Sequence, residues 1–309
     1  MAEAHERPIV AISGPTASGK TALAVGLALT MGAEIVNFDS VQIYRGIEIA
    51  TAKPSDEERR GVEHHLINSV DPSVNYTAGD WARDAERVIR QIETRGRNVV
   101  LVGGTGFYLR ALRQPLFESP KTDAALRERF RQLHAAKGSE YLHRMLTRLD
   151  PAAAAKIEQA DHSRTIRGLE HFFQTGRRIS EVQPQRAQPP DFAARIRLFV
   201  LDPPRDVLYE RINRRAETHF EKGLVEEVIA LRGQGIRDDT NALGAHAYRR
   251  VCEYLRGERD LESAIEKSKQ DVRNYAKRQL TWFRSEKDAV WLTGFGTDPG
   301  VLERLVAQI

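Results

Sequence analysis

A glycine-rich segment near the start of the chain has the residue types and spacing that bind phosphate groups. It fits the pattern G-x-x-x-x-G-K-[ST] and consists of Gly14, Pro15, Thr16, Ala17, Ser18, Gly19, Lys20 and Thr21. The two glycines permit backbone conformations that turn successive N–H groups towards an anion. Lys20 can then reach the outer phosphate, and the Thr21 hydroxyl can contact a Mg²⁺ ion held by the same phosphates. Unless it is a plain strand-to-helix turn, the segment predicts a site for a di- or triphosphate.

Two further polar groups each follow a predicted strand. Asp39 comes directly after the apolar segment 34–38, and Thr105 lies in the turn 103–106 after the apolar run 98–102. Ligands of doubly wound sheets bind beyond the carboxyl ends of the strands, so Asp39 is expected to face the phosphate-binding segment. A carboxylate there can serve as a Mg²⁺ ligand, as a general base or as a cap of the next turn.

The turn 103–106 carries glycines and one hydroxyl where a nucleotide hydrolase usually places an aspartate. It either lets substrate approach the backbone closely or is a tight turn capped by Thr105. Later in the chain, the strand 196–201 is followed by a proline pair and a helix with Arg211, Arg214 and Arg215. That helix is either a phosphate-clamping lid, as in phosphoryl-transfer enzymes, or an ordinary solvated helix.

Near the chain's end, basic residues alternate with aromatic residues on a long predicted helix. Tyr275, Trp282 and Phe283 lie among the basic side chains of this helix. Such a pattern can stack on RNA bases, but at helical spacing it also describes a core face beside a solvated face.

The order of the predicted elements indicates an α/β fold. Apolar strands over 9–13, 34–38, 98–102 and 196–201 alternate with helices, as in a parallel sheet of the P-loop NTPase type with helices on both faces. Residues 115–190 are helical throughout and predict an inserted all-helical domain, which leaves 1–114 and 191–309 as the core domain. The outward face of the insertion is expected to carry Arg127, Arg129, Arg131, Arg164 and Arg167.

The composition of the chain excludes several classes of protein, among them disulfide-bonded and membrane-spanning proteins. The 309 residues carry a net charge of +4 and a single cysteine, Cys252, which excludes an internal disulfide and a cysteine-based zinc site. No apolar run approaches the roughly 18 residues of a membrane span, and the polar start of the chain is not a signal peptide. We therefore expect a cytoplasmic protein without membrane contact. The histidines, including the pair His64 and His65, lack metal-ligand spacing.

Together these segments resemble one family, the bacterial tRNA dimethylallyltransferases. The resemblance runs in order along the whole chain. Its matching segments are 14–21, 39–44, 50–54, 64–67, 102–109, 164–167, 169–170, 175–176 and 275–284. The chain departs from the family pattern at Ser163, where glutamine is usual, at His246, where an aliphatic residue is usual, and at Ala247, which replaces a glycine.

The resemblance implies alkyl transfer. A dimethylallyl group passes from dimethylallyl diphosphate to N6 of the adenosine 3′ of the tRNA anticodon, and diphosphate leaves. Segment 14–21 and Arg215 would then bind the diphosphate with Mg²⁺, and Asp39 would be the base that accepts the N6 proton. Thr105 would hydrogen-bond at the reacting centre. The alternative is a P-loop kinase of a small molecule or nucleotide, which would bind ATP.

The resemblance also implies which residues contact the anticodon stem-loop of tRNA. The first segment lies at the crevice and consists of Asp39, Ser40, Val41 and Gln42. The second lies in the helical insertion and consists of Ser163, Arg164, Thr165, Ile166 and Arg167, to which we add Arg127. The target base must leave the loop stack to reach the crevice, so base flipping is expected. We expect the protein to act as a monomer.

Overall fold

The structure, a computed structural model, describes residues 7–117 and 119–309. Residues 1–6, part of the polar start that predicts no signal peptide, lie outside this description. Six strands form one parallel sheet in the order β3-β2-β4-β1-β5-β6. The strands are β1 Ile9–Ser13, β2 Ala33–Asn37, β3 His64–His65, β4 Asn98–Val102, β5 Ile196–Asp202 and β6 Val290–Thr293.

Thirteen α-helices surround the sheet or form the insertion in the described part of the chain. Those before the insertion are α1 Lys20–Met31, α2 Asp56–Arg59, α3 Ala78–Thr94 and α4 Gly106–Arg113. The insertion holds α5 Ala124–Leu149, α6 Pro151–Ala154, α7 His162–Thr175 and α8 Ile179–Val182. The rest are α9 Arg205–Glu221, α10 Leu224–Gly233, α11 His246–Leu255, α12 Leu261–Arg284 and α13 Val301–Val306. Two 3₁₀ helices cover Ile49–Thr51 and Asp191–Arg195.

The central strands are continuous apolar runs because both faces of the sheet are covered. In β1, Val10 and Ile12 pack into one core cluster with residues of α1 and α13. Ile9 and Ala11 alternate with them and are equally buried, so helices and loops shield the opposite face as well. The predicted α/β fold is confirmed, and β1 and β4 have the predicted bounds.

The segment 47–72, whose sequence is loop-like with Pro54 and the charged run 56–60, forms several short elements. It contains the 3₁₀ turn Ile49–Thr51, the helix α2 and the two-residue strand β3. The strand β6 and the helix α13 near the chain's end were also missed. Short edge elements such as β3 contain too few residues to show a hydrophobic period, so the sequence pattern gave no signal.

Two compact units divide the chain. One comprises Met1–Arg113 and Pro190–Ile309, and the other comprises Gln114–Pro189. The second unit is helical, and its core contains Phe130, Leu142, Leu146 and Leu169 among others. Its first helix, α5, is interrupted at Gly138, where φ is 77°. Within the described residues, every helix is too short or too polar to cross a membrane.

Candidate active site

The phosphate-binding segment is the loop between β1 and α1, as predicted. Gly14 and Gly19 both have positive φ, at 144° and 82°. A Cβ at Gly14 would lie 2.9 Å from the Cβ of Leu201 and 3.1 Å from its carbonyl oxygen, so that position requires glycine. The loop therefore approaches β5 closely, while the N–H groups in the first turn of α1 remain available to an anion.

Lys20 begins α1 and turns back over the loop. Its Nζ donates a hydrogen bond to the carbonyl oxygen of Pro15 at 2.9 Å. Burial lowers the pKa of Lys20 to about 8; Asp39 opposes this shift and Arg215 adds to it. The Lys20 ammonium has lost hydration and bonds a neutral carbonyl oxygen. A negatively charged phosphate oxygen bound beside it would therefore stabilise its charged form.

Arg215 is the arginine of α9 that reaches the loop. Its guanidinium donates to the Thr16 hydroxyl, and burial lowers its pKa to about 10, with Asp39 opposing the shift. The other two arginines of this helix lie elsewhere. The Arg211 guanidinium lies 3.6 Å from the ring centre of Phe295, and Arg214 is exposed. Arg215 therefore faces the phosphate loop. At this position the helix fits the phosphate-clamping interpretation better than that of an ordinary solvated helix.

Asp39 follows β2 and faces the same region. One carboxylate oxygen, Oδ1, accepts from the backbone N–H groups of Val41 at 2.9 Å and Gln42 at 3.2 Å, which is a turn cap. The other oxygen, Oδ2, has no hydrogen-bond partner in the described part of the chain. Asp39 thus combines a capping oxygen with one that is free for chemistry.

Thr105 joins the turn after β4 to the segment after Asp39. Its Oγ1 accepts from the backbone N–H of Ser40 at 3.0 Å and donates to the Ser40 hydroxyl at 3.2 Å. This pair connects the carboxyl ends of the neighbouring strands β2 and β4. Thr105 is therefore a hydroxyl fixed against Ser40, the residue that follows Asp39.

The glycines of this turn make room for protein side chains. A Cβ at Gly104 would lie 2.1 Å from Nε2 of Gln279, and one at Gly106 would lie 2.2 Å from the Trp282 ring. The expectation that they bring substrate close to the backbone is corrected at these two positions, because α12 fills that space. Phe283 on the same helix is fully buried, so this aromatic residue belongs to the core.

Gln279 was missed by sequence reasoning. Its Oε1 accepts from the Thr16 N–H at 2.8 Å, and its Nε2 donates to the Gly104 carbonyl oxygen at 3.0 Å. One buried amide thus connects the phosphate loop to the turn that holds Thr105. No local signal could identify it, since Gln279 lies far along the chain from both partners.

A cavity of about 340 Å³ opens beside these groups. Thr16, Asp39 and Arg215 contribute to its wall. Much of the remaining wall is aromatic and was not predicted: Tyr44, Tyr76, Tyr108, His219, His246, Tyr248 and Tyr275. Burial lowers the pKa of both His219 and His246 to about 4, so both rings are neutral near pH 7. A cavity with charged groups and a mainly uncharged wall suits a ligand with an anionic head and an apolar group.

The oxygen atoms of the loop fit a hard cation beside bound phosphates. The Ser18 hydroxyl is buried and lacks a hydrogen-bond partner among the described residues. Thr21 follows Lys20 in the first turn of α1 and is partly exposed. Hydroxyl oxygens next to phosphate oxygens are a donor set that Mg²⁺ accepts.

His65 has carboxylate neighbours that sequence spacing did not reveal. Ligand atoms of His65, Glu34 and Glu63 all lie within 4.8 Å of one another. However, the guanidinium of Arg95 lies 2.6 Å from Glu34 Oε2 and already supplies a cation there. This cluster is an ion-pair network on the sheet edge.

In the helical unit, two predicted RNA contacts form internal bonds. Arg127 donates through Nε and Nη2 to the two carboxylate oxygens of Glu170, at 2.7 and 3.0 Å. Glu170 is fully buried. Arg167 donates to the hydroxyls of Ser119 at 2.7 Å and Thr122 at 3.1 Å. The expected outward direction of Arg127 and Arg167 is thus corrected, because both side chains turn partly inward.

The segment 163–167 exposes only some of its side chains. Thr165 is buried and its hydroxyl donates to the Asp161 carbonyl oxygen, and Ile166 packs in the core of the helical unit. Ser163 and Arg164 are exposed. Side-chain contacts of this segment with RNA therefore fall mainly to Ser163, Arg164 and the partly exposed Arg167, since Thr165 and Ile166 are buried.

Proteins that are similar to this chain in sequence or fold include tRNA-modifying enzymes. Residues 42–286 match the family model described as IPP transferase. A tRNA dimethylallyltransferase of Geobacter metallireducens is 44% identical over 308 residues, covering 99% of each chain. Another from Koribacter versatilis is 45% identical over 291 residues, covering 94% of each.

Solved structures agree with the sequence relatives. The full-length tRNA isopentenylpyrophosphate transferase from Bacillus halodurans has a TM-score of 0.71 at 38% identity, covering 98% of this chain and 96% of that one. A eukaryotic dimethylallyltransferase acting on tRNA has a TM-score of 0.74 at 25% identity, covering 98% of this chain and 77% of that one. The resemblance that the motifs indicate is confirmed, and the chain belongs to the IPP transferase family.

Proposed function

We propose that this chain transfers a dimethylallyl group from dimethylallyl diphosphate to N6 of the adenosine 3′ of the tRNA anticodon. tRNA prenylation is the reaction of its relatives. The observation that carries the assignment to this chain is the joint placement of Asp39, Thr16 and Arg215 on one cavity with a largely aromatic wall. An anion site beside an apolar space and a free carboxylate oxygen suits an allylic diphosphate and a nucleophile that must lose a proton.

The phosphate loop receives the leaving group. As the allylic C–O bond breaks, negative charge grows on the diphosphate, and Lys20 and Arg215 lie where that charge develops. The loop N–H groups and the first turn of α1 add partial positive charge. Mg²⁺, when bound at the Thr21 and Ser18 hydroxyls, would neutralise part of the diphosphate charge.

The free oxygen of Asp39 completes the bond exchange. The N6 nitrogen of adenine attacks the allylic carbon, a new C–N bond forms, and the C–O bond to diphosphate breaks. Asp39 Oδ2 accepts the proton that N6 releases, while Oδ1 stays bonded to the Val41 and Gln42 N–H groups. Thr105, fixed by Ser40, orients the base at this position.

RNA is recognised by the segment after Asp39 and by exposed residues of the helical unit. Gln42 donates through Nε2 to the carbonyl oxygens of Thr51 and Ala52, both at 3.0 Å, which leaves its Oε1 as an acceptor for a base. In the helical unit, Ser163 and Arg164 offer exposed side chains to the anticodon stem-loop, and the Arg164 guanidinium lies 3.4 Å from Asp161. The protein acts on tRNA as a monomer.

One incubation tests this function against the kinase alternative, which the comparisons do not support. The purified protein is mixed with Mg²⁺, dimethylallyl diphosphate and an anticodon stem-loop with adjacent adenosines, and the RNA mass is measured. One added dimethylallyl unit supports the proposal, and phosphate transferred from ATP with no prenylation contradicts it. Asp39→Asn keeps an oxygen for the turn cap but cannot accept the proton, so this variant should bind the stem-loop without modifying it.

A further inference from the structure

An exposed aromatic residue lies two positions beyond Thr105. Phe107 is in the first turn of α4, and 46% of its surface is exposed. Its ring meets that of Trp282 edge to face, with centroids 6.2 Å apart and planes at 79°. A single exposed apolar side chain is common on protein surfaces, so exposure alone carries no inference. The neighbours of Phe107 supply the further observations.

Phe107 lies at the outer end of a row of aromatic and basic side chains that leads to the cavity. Tyr275 lines the cavity, and the Arg278 guanidinium lies 5.9 Å from the centre of its ring. Trp282 follows Arg278 by four residues on the same face of α12, and Phe107 contacts Trp282. The Trp282 ring is already covered by the guanidinium of Arg110 at 4.2 Å. Phe107 is therefore the aromatic ring of this row that remains available on the surface.

The cations of this part of α12 are unpaired. Residues 275–284 contain no aspartate or glutamate, and three of them are exposed cations without an ion pair to a described residue: Lys277, Arg278 and Arg284. The exposed arginines of α3 differ, since each pairs with a carboxylate one turn earlier: Arg83, Arg87 and Arg90. Cations without protein partners beside an exposed ring fit a polyanion that carries aromatic bases.

We propose that Phe107 and Arg278 form a stacking site for one unpaired nucleotide adjacent to the target adenosine. The base lies on the Phe107 ring, and the Arg278 guanidinium binds its phosphate. The inference rests on the proposed function and adds an RNA contact to it. When the adenosine leaves the loop stack, its neighbour loses a stacking partner, and Phe107 replaces that partner at the edge of the crevice.

The first test replaces the ring while keeping apolar volume. The probe is an anticodon stem-loop with 2-aminopurine on one side of the target adenosine or the other, whose fluorescence falls on stacking. Wild-type protein should quench one of these probes, and Phe107→Leu should remove the quenching and raise the Kd for the RNA about tenfold. Phe107→Tyr keeps the ring and should restore both. The Kd for dimethylallyl diphosphate should be the same in all three proteins.

The second test concerns the phosphate. Arg278→Gln should reduce the slope of log K against log salt by about 0.7, the value for one phosphate of a single strand. Arg83→Gln is the matched control, because Arg83 is an exposed arginine of α3 outside the proposed stacking site and pairs with Asp80. Its slope should equal that of wild type. Equal slopes for Arg278→Gln and wild type would overturn the phosphate contact.

The proposed function and the stacking site fail in different ways. If wild-type protein does not prenylate the stem-loop, the proposed function is wrong and the stacking site is wrong with it. If wild type modifies the RNA and Phe107→Leu binds and quenches it equally well, the stacking site alone is wrong. Loss of quenching restored by Phe107→Tyr, with donor binding unchanged, supports the site.

Discussion

The side chain of Gln279 binds the backbone N–H of Thr16, and through this contact the helix α12 fixes the phosphate loop. The Oε1 to N distance is 2.8 Å, and the same amide donates to the Gly104 carbonyl oxygen at 3.0 Å. The Thr16 N–H is therefore committed to the protein and is not available to an anion. Under the proposed function, Gln279 would set the position of the diphosphate relative to Thr105.

Replacing Gln279 should remove the connection between the phosphate loop and the turn that holds Thr105. Gln279→Leu removes the partner of the part-buried Thr16 N–H and leaves the buried Gly104 carbonyl oxygen unpaired, which costs about 1–3 kcal/mol for the buried group. Gln279→Glu can still accept from Thr16 but adds a negative charge towards the anion site. We expect both variants to have a lower unfolding midpoint in urea. Gln279→Glu should also have a higher Kd for inorganic diphosphate at low salt.

A useful control is Thr281→Ala, since Thr281 is exposed on the same helix and its hydroxyl bonds the Lys277 carbonyl oxygen of its own helix. Its midpoint and diphosphate affinity should equal those of wild type. Unchanged diphosphate affinity in both Gln279 variants would show that the loop holds its shape without α12.

Lys20 should make diphosphate binding depend on pH. Burial lowers its pKa to about 8, and a bound diphosphate favours the protonated form. Below about pH 8 the Lys20 ammonium is already charged, so the affinity for diphosphate does not depend on pH through this group. Above that pH the neutral amine must take up one proton when diphosphate binds. Affinity should therefore fall as pH rises, by at most about tenfold per pH unit. Calorimetry measures the Kd for inorganic diphosphate from about pH 7 to about pH 9.5.

Lys20→Arg is the control because arginine stays charged over this range. The ionisation of diphosphate itself affects both proteins equally, so the difference between their pH profiles reports Lys20. Parallel profiles would mean that Lys20 does not titrate with a lowered pKa.

The sequence predicted those parts of the site that are encoded locally. Segment 14–21, Asp39 and Thr105 directly follow strands of a parallel sheet, and such strand ends converge at one edge whatever the rest of the fold does. Gln279 lies in the matching segment 275–284, but its contacts escaped prediction because it is 263 residues from Thr16. The aromatic wall of the cavity is assembled from distant segments in the same way.

In the helical insertion, residue type alone misled the prediction. An arginine at helical spacing next to other arginines indicates a solvated basic face, yet Arg127 bonds the buried Glu170. The sequence gives no sign of this because the acid lies 43 residues further on, in a different helix. Thr165 and Ile166 similarly lie in a matching family segment but are buried.

The glycines near Thr105 should be intolerant of even a methyl group. In Gly106→Ala the new Cβ would lie 2.2 Å from the Trp282 ring, and such overpacking costs about 1–3 kcal/mol. Gly233→Ala is the matched control: Gly233 ends α10, has no heavy atom within 4 Å of its added Cβ, and should gain about 0.5–1 kcal/mol. Urea unfolding curves of both variants test this pair. A Gly106→Ala protein as stable as wild type would mean that α12 does not press against α4.

Arginines of the helical unit should separate into structural and RNA-binding roles. Arg127→Ala leaves the carboxylate of Glu170, which is fully buried, with only Arg167 at 3.9 Å, and should lower stability by about 3 kcal/mol. Arg164 is 72% exposed in its side chain, so Arg164→Ala should change stability by less than about 0.5 kcal/mol. It should instead weaken stem-loop binding and reduce the salt slope by about 1. Thermal unfolding and salt titrations of the two variants measure both roles. Wild-type stability of Arg127→Ala would contradict the structural role, because a buried carboxylate needs a paired cation. A wild-type salt slope of Arg164→Ala would contradict the RNA-binding role.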